Sequence, residues 1–336
     1  MKKKILITGA GGFIGSFIVE EALRRQYDTW AGVRPSTGRE YLQDPDIRFI
    51  QLHYADKEQL KRQLLEQHGQ TGRWDCIIWN LGATKCRQPQ DFDTINYGFL
   101  RNFVEALIET RTVPGQFIMT SSLGAWGAGD EKNYTPIRPD DPPAPETRYG
   151  KSKLRAEEYL RSLPGFPYVI FRPTGVYGPR EKDYFLMMKS IACGVDFAAG
   201  IRRQALTFIY VKDLVKAMFL AIDKGVVRRA YFVSDGAVYA PSDFRRYVRQ
   251  ALHKRFVLPL HLPLWILRAV CYSAAFIAAR RGRTSTLNPD KYRILKQRNW
   301  ICDTTDLQTE LGFTPDYPLE KGIGEAVQWY REAGWL

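Results

Sequence analysis

Apolar residues occur along this chain in short unbroken runs, separated by stretches in which they recur every three or four positions. Ile5-Leu6-Ile7, Cys76-Ile77-Ile78-Trp79 and Phe117-Ile118-Met119 have no polar alternation, the pattern of strands covered on both faces. Ser16 to Arg25 instead sets Phe17, Ile18, Ala22 and Leu23 at helical spacing. Strands are expected at about 4–8, 28–33, 47–52, 75–80, 116–121 and 167–172, alternating with helical stretches. That alternation predicts an α/β fold with a doubly wound parallel sheet. A chain of 336 residues with 45% hydrophobic content has room for a second lobe. The pattern changes after Pro179, and Leu206 to Tyr210 reads as a return towards the sheet. The expected division is a sheet domain over 1–178 plus about 206–234, and a smaller, discontinuous lobe from 179–205 and 235–336.

The first strand runs into Thr8-Gly9-Ala10-Gly11-Gly12-Phe13-Ile14-Gly15, where Gly9, Gly12 and Gly15 repeat as GxxGxxG just before a helical stretch. Glycines at such a turn let the backbone bend sharply and approach a pyrophosphate, which the helix N-terminus attracts. A dinucleotide site is expected there, which makes the sheet Rossmann-type. In Tyr149-Gly150-Lys151-Ser152-Lys153 the tyrosine and the last lysine stand one helical turn apart on one face. Upstream, Phe117 to Ser122 is a short apolar strand ending in hydroxyls. A free phenol has a pKa of about 10, too high for a base at neutral pH, but a nearby ammonium and an oxidised nicotinamide both favour the phenolate. Lys153 would supply the ammonium and Tyr149 would exchange a proton with a substrate oxygen. Ser122 would hydrogen-bond that oxygen while hydride passes to or from the dinucleotide. The loop 127–148, with Pro136, Pro139, Pro142, Pro143 and Pro145, is expected to border this site.

In this order the segments resemble the extended short-chain dehydrogenase/reductase family, which also holds the NAD-dependent epimerases and dehydratases. The resemblance spans nearly the whole chain. It rests on TGAGGFIG at 8–15, Asp56, Leu81-Gly82-Ala83, Asn96, SSLGAWG at 121–127, Tyr149 with Lys153, RPTGVYGP at 172–179 and Tyr210-Val211-Lys212-Asp213. It implies catalytic roles for Ser122, Tyr149 and Lys153, with Ser122 preferred to Ser121 because the family's hydroxyl lies five residues before the closing glycine, here Gly127. It also implies cofactor contacts from Gly9, Gly11, Gly12, Phe13, Ile14, Gly15, Tyr54, Asp56, Leu81, Gly82, Ala83, Asn96, Tyr149, Lys153 and Pro173. Among these, Asp56 would meet the adenine and the neighbourhood of Pro173 the carboxamide. Three residues have equally good structural readings: Asn96 as a cap or loop residue, Asp213 as the N-cap of a helix over 214–224, and Arg172 as a packing ion partner.

The cofactor form turns on the residues just past the second strand. A site for NAD places a carboxylate there to bind the ribose hydroxyls, whereas this chain has Arg34, with Ser36, Thr37 and Arg39 close behind. A guanidinium binds a 2′-phosphate through paired, charge-assisted hydrogen bonds, so NADP(H) is expected, with NAD(H) as the alternative. Stacking of Arg34 on adenine, or its exposure to solvent, is the competing reading.

The leading expectation for function is an oxidoreductase moving hydride between nicotinamide and a keto or secondary hydroxyl group of a small apolar ring substrate. Leu206 stands where nucleotide-sugar members of the family usually carry a phosphate-gripping arginine, although Arg202 or Arg203 is near enough to replace it. RPTGVYGP and the Trp300-Ile301-Cys302-Asp303 region look similar to the dihydroflavonol-reductase and 3β-hydroxysteroid-dehydrogenase branches, which implies such a substrate. The alternative is a nucleotide-sugar epimerase with retained NAD. Leu123-Gly124 after Ser122 leave no place for the extra acid and base carboxylates of a dehydratase. A non-catalytic dinucleotide sensor is the third reading.

Phe256 to Ala279 is strongly apolar and is bounded by Arg255, Arg280, Arg281 and Arg283, but Pro259, His261, Pro263 and Arg268 divide it. It is expected to form a helix from Leu264 that closes the substrate pocket, or, alternatively, to seat 256–283 peripherally on a membrane. The net charge of +13 is spread along the chain without a recognition element, so no nucleic-acid partner is expected. Five scattered cysteines without CxxC and four dispersed histidines suggest neither a disulfide framework nor a metal site, and point to a reducing, cytoplasmic location. The basic start Met1 to Lys4 runs into the first strand and is not read as an export signal. The resemblance further implies a homodimer formed through the helix at 96–110 and the one bearing Tyr149.

Overall fold

The first strand, β1 (Lys4–Thr8), sends Ile5 and Ile7 to one side and Leu6 to the other, and all three are fully buried. The computed structural model describes residues 2–282 and 284–336. From β1 the chain passes through α1 (Phe13–Arg24), β2 (Asp28–Val33), β3 (Arg48–Gln51), α2 (Lys57–Thr71) and β4 (Cys76–Trp79). A short helix α3 (Asp91–Asp93) and a π-helical turn over Thr94–Gly98 lead into α4 (Phe99–Glu109), followed by β5 (Gln116–Thr120), α5 (Arg148–Ser162) and β6 (Tyr168–Pro173).

These strands make a parallel sheet of seven in the order β10-β6-β5-β4-β1-β2-β3, completed at its edge by β10 (Arg229–Val233) beside β6. The expected doubly wound sheet is thus present, with its order reversing at β1 and β4, so that the crevice beyond their C-terminal ends is where a ligand binds in such folds. The alternation seen in β1 recurs in β4 and β5. Ile78 and Ile118 face the core under α1, while Ile77, Trp79, Phe117 and Met119 face the core under α2, α4 and α5. Six strands fall within a residue or two of the positions expected from sequence. The seventh, not among the expected strands, begins on the exposed Arg229 at an edge and continues through the apolar run Ala230 to Val233.

Beyond β6 come β7 (Gly175–Tyr177), α6 (Asp183–Ala192), β8 (Val195–Ala199), β9 (Phe208–Tyr210), α7 (Val211–Asp223) and, after β10, α8 (Pro241–Ala251). The chain then forms β11 (Leu258–Leu262), α9 (Leu264–Arg280), α10 (Pro289–Lys296), α11 (Thr305–Leu311) and α12 (Leu319–Glu332). β9 pairs with β7, the local return expected for 206–210. A separate core gathers Tyr177, Met188, Ile191, Phe208, Tyr210, Phe244, Val248, Ile323 and Tyr330. Leu307, Leu311 and Phe313, expected in the smaller lobe, pack instead with the sheet core beside α7.

Candidate active site

The turn after β1 holds its shape through its glycines. Gly9 sits at φ +66°, and a Cβ on Gly15 would stand 2.1 Å from the Gly9 carbonyl oxygen, closer than any side chain allows. Gly12 is the N-cap of α1 and no side chain caps it, so the first amides of that helix are left for a ligand. The segment after β2 folds back onto the same loop. The Arg34 amide donates to Thr37 Oγ1 and the Thr37 amide to the Arg34 carbonyl, both at 2.9 Å, and a Cβ on Gly11 would meet the Thr37 methyl at 2.4 Å. Arg34 itself is exposed and, among the described residues, pairs with no carboxylate. Arg39 is engaged elsewhere, 4.2 Å over the Phe49 ring. A glycine cradle, an uncapped helix N-terminus and an unpaired guanidinium suit a phosphorylated dinucleotide.

Tyr149 is the second residue of α5, whose start is fixed by Thr147 Oγ1 accepting from the Gly150 amide at 2.9 Å and by the Arg148 amide donating to Asp290 at 3.0 Å. Burial pushes its phenol up to about 12, against the smaller opposing influence of the neighbouring Ser122 hydroxyl. Ser122 lies just past β5, where its Oγ accepts from the Gly124 amide at 3.0 Å. Ser121 faces the other way and donates to the buried Glu157. Successive residues at a strand end point to opposite sides, which separates the two hydroxyls. Lys153, one turn after Tyr149, is 4% exposed and donates to the Thr120 carbonyl at 2.9 Å. Burial pulls its ammonium down to about 8, against the pull of Glu157. The expected acidification of Tyr149 by Lys153 is not what sets the phenol in this structure, where desolvation dominates and raises it.

The loop after β4 closes the other side. A Cβ on Gly82 would come within 2.9 Å of Lys153 Nζ. Asn96 accepts from the Ala83 amide at 2.7 Å and donates to the Ala83 carbonyl at 3.0 Å and to Ser152 Oγ at 2.9 Å. Fully buried in the π-helical turn, Asn96 ties the Leu81-Gly82-Ala83 loop to α5, so both its polar ends are spent on the protein. Pro173 ends β6, buried beside Val233. Asp56 is exposed and caps α2, accepting from the Gln59 amide at 2.9 Å. Tyr54 lies in the aromatic core against Trp79, ring centroids 5.2 Å apart, with its hydroxyl beneath Gly32.

Arg172 and Asp213 take structural positions. Arg172 pairs with Glu157 at 2.8 Å with both side chains fully buried, and its guanidinium lies 3.7 Å over the Trp126 ring. Asp213 sits in the first turn of α7 and accepts from the amides of Asp316 and Tyr317 at 3.0 and 2.9 Å. Two supports of the site were given no role from sequence: Glu157, which stands outside the motifs, and Ser152, which lies within the Tyr149–Lys153 motif. Both fall on the Tyr149 side of α5, at i+8 and i+3, a spacing that would have marked them. Leu206, in the place of the absent arginine, is held by reciprocal 2.8 Å backbone bonds with Tyr239.

The model of the NAD dependent epimerase/dehydratase family matches residues 5–234. The chain is 24% identical to a UDP-N-acetyl-alpha-D-glucosaminuronate decarboxylase of Bacillus cytotoxicus, covering 99% of each chain. It is 25% identical to a UDP-glucose 4-epimerase of Vibrio cholerae, over 99% of this chain and 97% of the relative. Among solved structures it is similar to the Bordetella bronchiseptica enzyme WbmH in complex with NAD+, at 25% identity and a TM-score of 0.76, with 99% of both chains covered.

Proposed function

The chain belongs to the NAD-dependent epimerase/dehydratase family, and from that premise we propose that it epimerises a nucleotide-bound sugar by transient oxidation of a secondary hydroxyl. The observation that carries this reading is the convergence of Ser122 just past the C-terminal end of β5, Tyr149 in the first turn of α5 and Lys153 one turn along it, with the glycine cradle across the crevice. Gly9, Gly12 and Gly15 with the start of α1 would hold the dinucleotide phosphates, and Lys153 and the Leu81-Gly82-Ala83 loop would border its other half. When bound, the nicotinamide supplies a hydride acceptor and, in its oxidised form, a positive charge. With that charge beside it, Tyr149 would ionise despite the burial that holds it protonated. Tyr149 then takes the proton from the substrate hydroxyl, and Ser122 keeps that oxygen in line. The nucleotide-sugar relatives support the substrate class. The absence of a carboxylate at Leu123-Gly124, together with the neutralisation of Glu157 by Arg172, supports epimerisation over dehydration, because elimination needs further acid and base groups.

Incubation with a panel of UDP-hexoses tests this. The expected result is an epimeric product, resolved by chromatography, with no build-up of reduced nicotinamide absorbance. Steady consumption of NADPH by apolar ring ketones, with inert UDP-hexoses, would overturn it.

That second outcome is the reading favoured by Leu206 and Arg34: an NADP(H)-dependent reductase of a less charged substrate. Arg34 can be tested on its own. Paired, charge-assisted bonds to a 2′-phosphate are worth about 1.5–3 kcal/mol, so Arg34→Ala should lower the preference for NADPH over NADH by about tenfold or more in a titration of cofactor fluorescence. An unchanged preference removes Arg34 from cofactor selection.

A further inference from the structure

β11 lies parallel to β8, Leu258 to Leu262 against Val195 to Ala199, and α9 comes directly after it. The Gly200 amide donates to the Leu262 carbonyl at 2.9 Å and Leu264 packs beside Gly200, so the ribbon, the loop at 200–203 and the start of α9 form one continuous face. Its outer side is apolar. α9 turns Leu267 and Cys271 inward, while Trp265, Ala269, Tyr272 and Phe276, at i, i+4, i+7 and i+11, make an outward stripe. Trp265 is 73% exposed and Phe276 58%, and Phe256 at 71% and Ile201 at 89% extend the surface over the ribbon ends. A helix bordering water ordinarily turns its polar side outward; α9 carries apolar residues outward as well as inward, which marks an interaction surface. A helix closing the substrate pocket, the expectation from sequence, would bury this stripe.

Charge identifies the occupant. From Phe244 to Pro289 the sequence has no Asp or Glu and is rich in Lys and Arg, one of which, Arg283, lies outside the described residues. Arg268 stands over the Tyr272 ring at 5.6 Å and Arg280 over Phe276 at 4.5 Å, which places cations along the apolar stripe. Arg202 and Arg203 flank one end of the ribbon, and Lys254 and Arg255 the other, all exposed. A second copy docking about a twofold axis would bring these cations against themselves. Anionic headgroups would neutralise them. No helix among the described residues is long and apolar enough to cross a membrane, and the apolar run of α9 is broken by Arg268.

We propose that the face made by β8, β11 and α9 seats on the surface of an anionic phospholipid bilayer. Trp265, Tyr272 and Phe276 enter the boundary between headgroups and acyl chains, and the surrounding arginines and lysines meet lipid phosphates. The chain leaving α9 reaches the rim of the candidate active site. There Thr286 accepts from Lys85 at 3.1 Å and Asp290 from the Arg148 amide at 3.0 Å, so a seated face would lie next to the entrance.

Co-flotation of the full chain with phosphatidylglycerol/phosphatidylcholine vesicles, against phosphatidylcholine alone, tests the proposal. Binding to the anionic vesicles should weaken with salt. Trp265→Ser/Phe276→Ser should lower the partition coefficient at least about tenfold, and Arg280→Gln/Arg281→Gln about fivefold for each charge removed. Circular dichroism melting shows whether each variant is folded, and if the aromatic pair is not, the arginine pair and the salt series carry the test. Equal binding to both vesicle types, binding to neither, or unchanged binding by folded variants would overturn the proposal. Sedimentation showing a dimer that the same variants turn into monomers, without vesicle binding, would reassign the face to a second copy.

Discussion

Lys153 and Tyr149 are both pushed towards their neutral forms by burial, and only a charge or partner arriving in the crevice reverses this. For Lys153 this has a consequence for stability. Its folded pKa of about 8 lies below the ordinary lysine value, so the buried ammonium destabilises the fold. That penalty is complete below pH 8 and fades as pH rises towards the unfolded pKa of about 10.4. Lys153→Met removes the ammonium but strands the Thr120 carbonyl, which costs about 1 kcal/mol in return. The variant should therefore be more stable than the parent by about 1–2 kcal/mol at pH 7, with the gain close to zero by pH 10, while turnover is lost. Urea unfolding at the two pH values measures it. A gain independent of pH would show that the ammonium is not its source.

Helix α5 is tied to the sheet through one buried ion pair. Arg172 of β6 holds Glu157 through its Nε and Nη2 at 2.9 and 2.8 Å, and Glu157 in turn accepts from Ser121 at the end of β5. Arg172→Met leaves Glu157 buried and unpaired, so it should lower unfolding free energy by about 3–5 kcal/mol, whereas Arg172→Met/Glu157→Leu should recover most of that loss. A double variant as unstable as the single one would contradict this assignment. Elements of this kind differ in how far they can be read from sequence. β1, β4 and β5 were legible because strands covered on both faces are apolar throughout, and α5 because Tyr149 and Lys153 share a helical face. β10 has a comparable run, Ala230 to Val233, but it follows the break in the strand–helix alternation after Pro179 and so did not register as part of the sheet. The extent of α9 was legible but its burial was not, because apolar residues at helical spacing look the same whether they face a core or a solvent-accessible surface. The roles of Asn96, Ser152 and Glu157 depend on contacts between elements far apart in sequence, which local patterns do not carry.

Across the whole molecule, two cores sandwich the parallel sheet and a third stands behind β7 and β9, leaving the crevice at the ends of β1, β4 and β5 as the meeting place of the glycine turn, the Ala83 loop and Tyr149. Everything proposed for function depends on proton transfer by that phenol in step with hydride transfer. The most direct measurement is the single-turnover rate of the protein saturated with dinucleotide, monitored with the UDP-hexose that the epimerisation assay identifies, for the parent and for Tyr149→Phe. General acid–base groups contribute about 10²–10⁴-fold, so the variant should be slower by at least about 10²-fold while its dinucleotide affinity stays within about twofold of the parent. A Tyr149→Phe protein that transfers hydride at the parent rate would contradict the account.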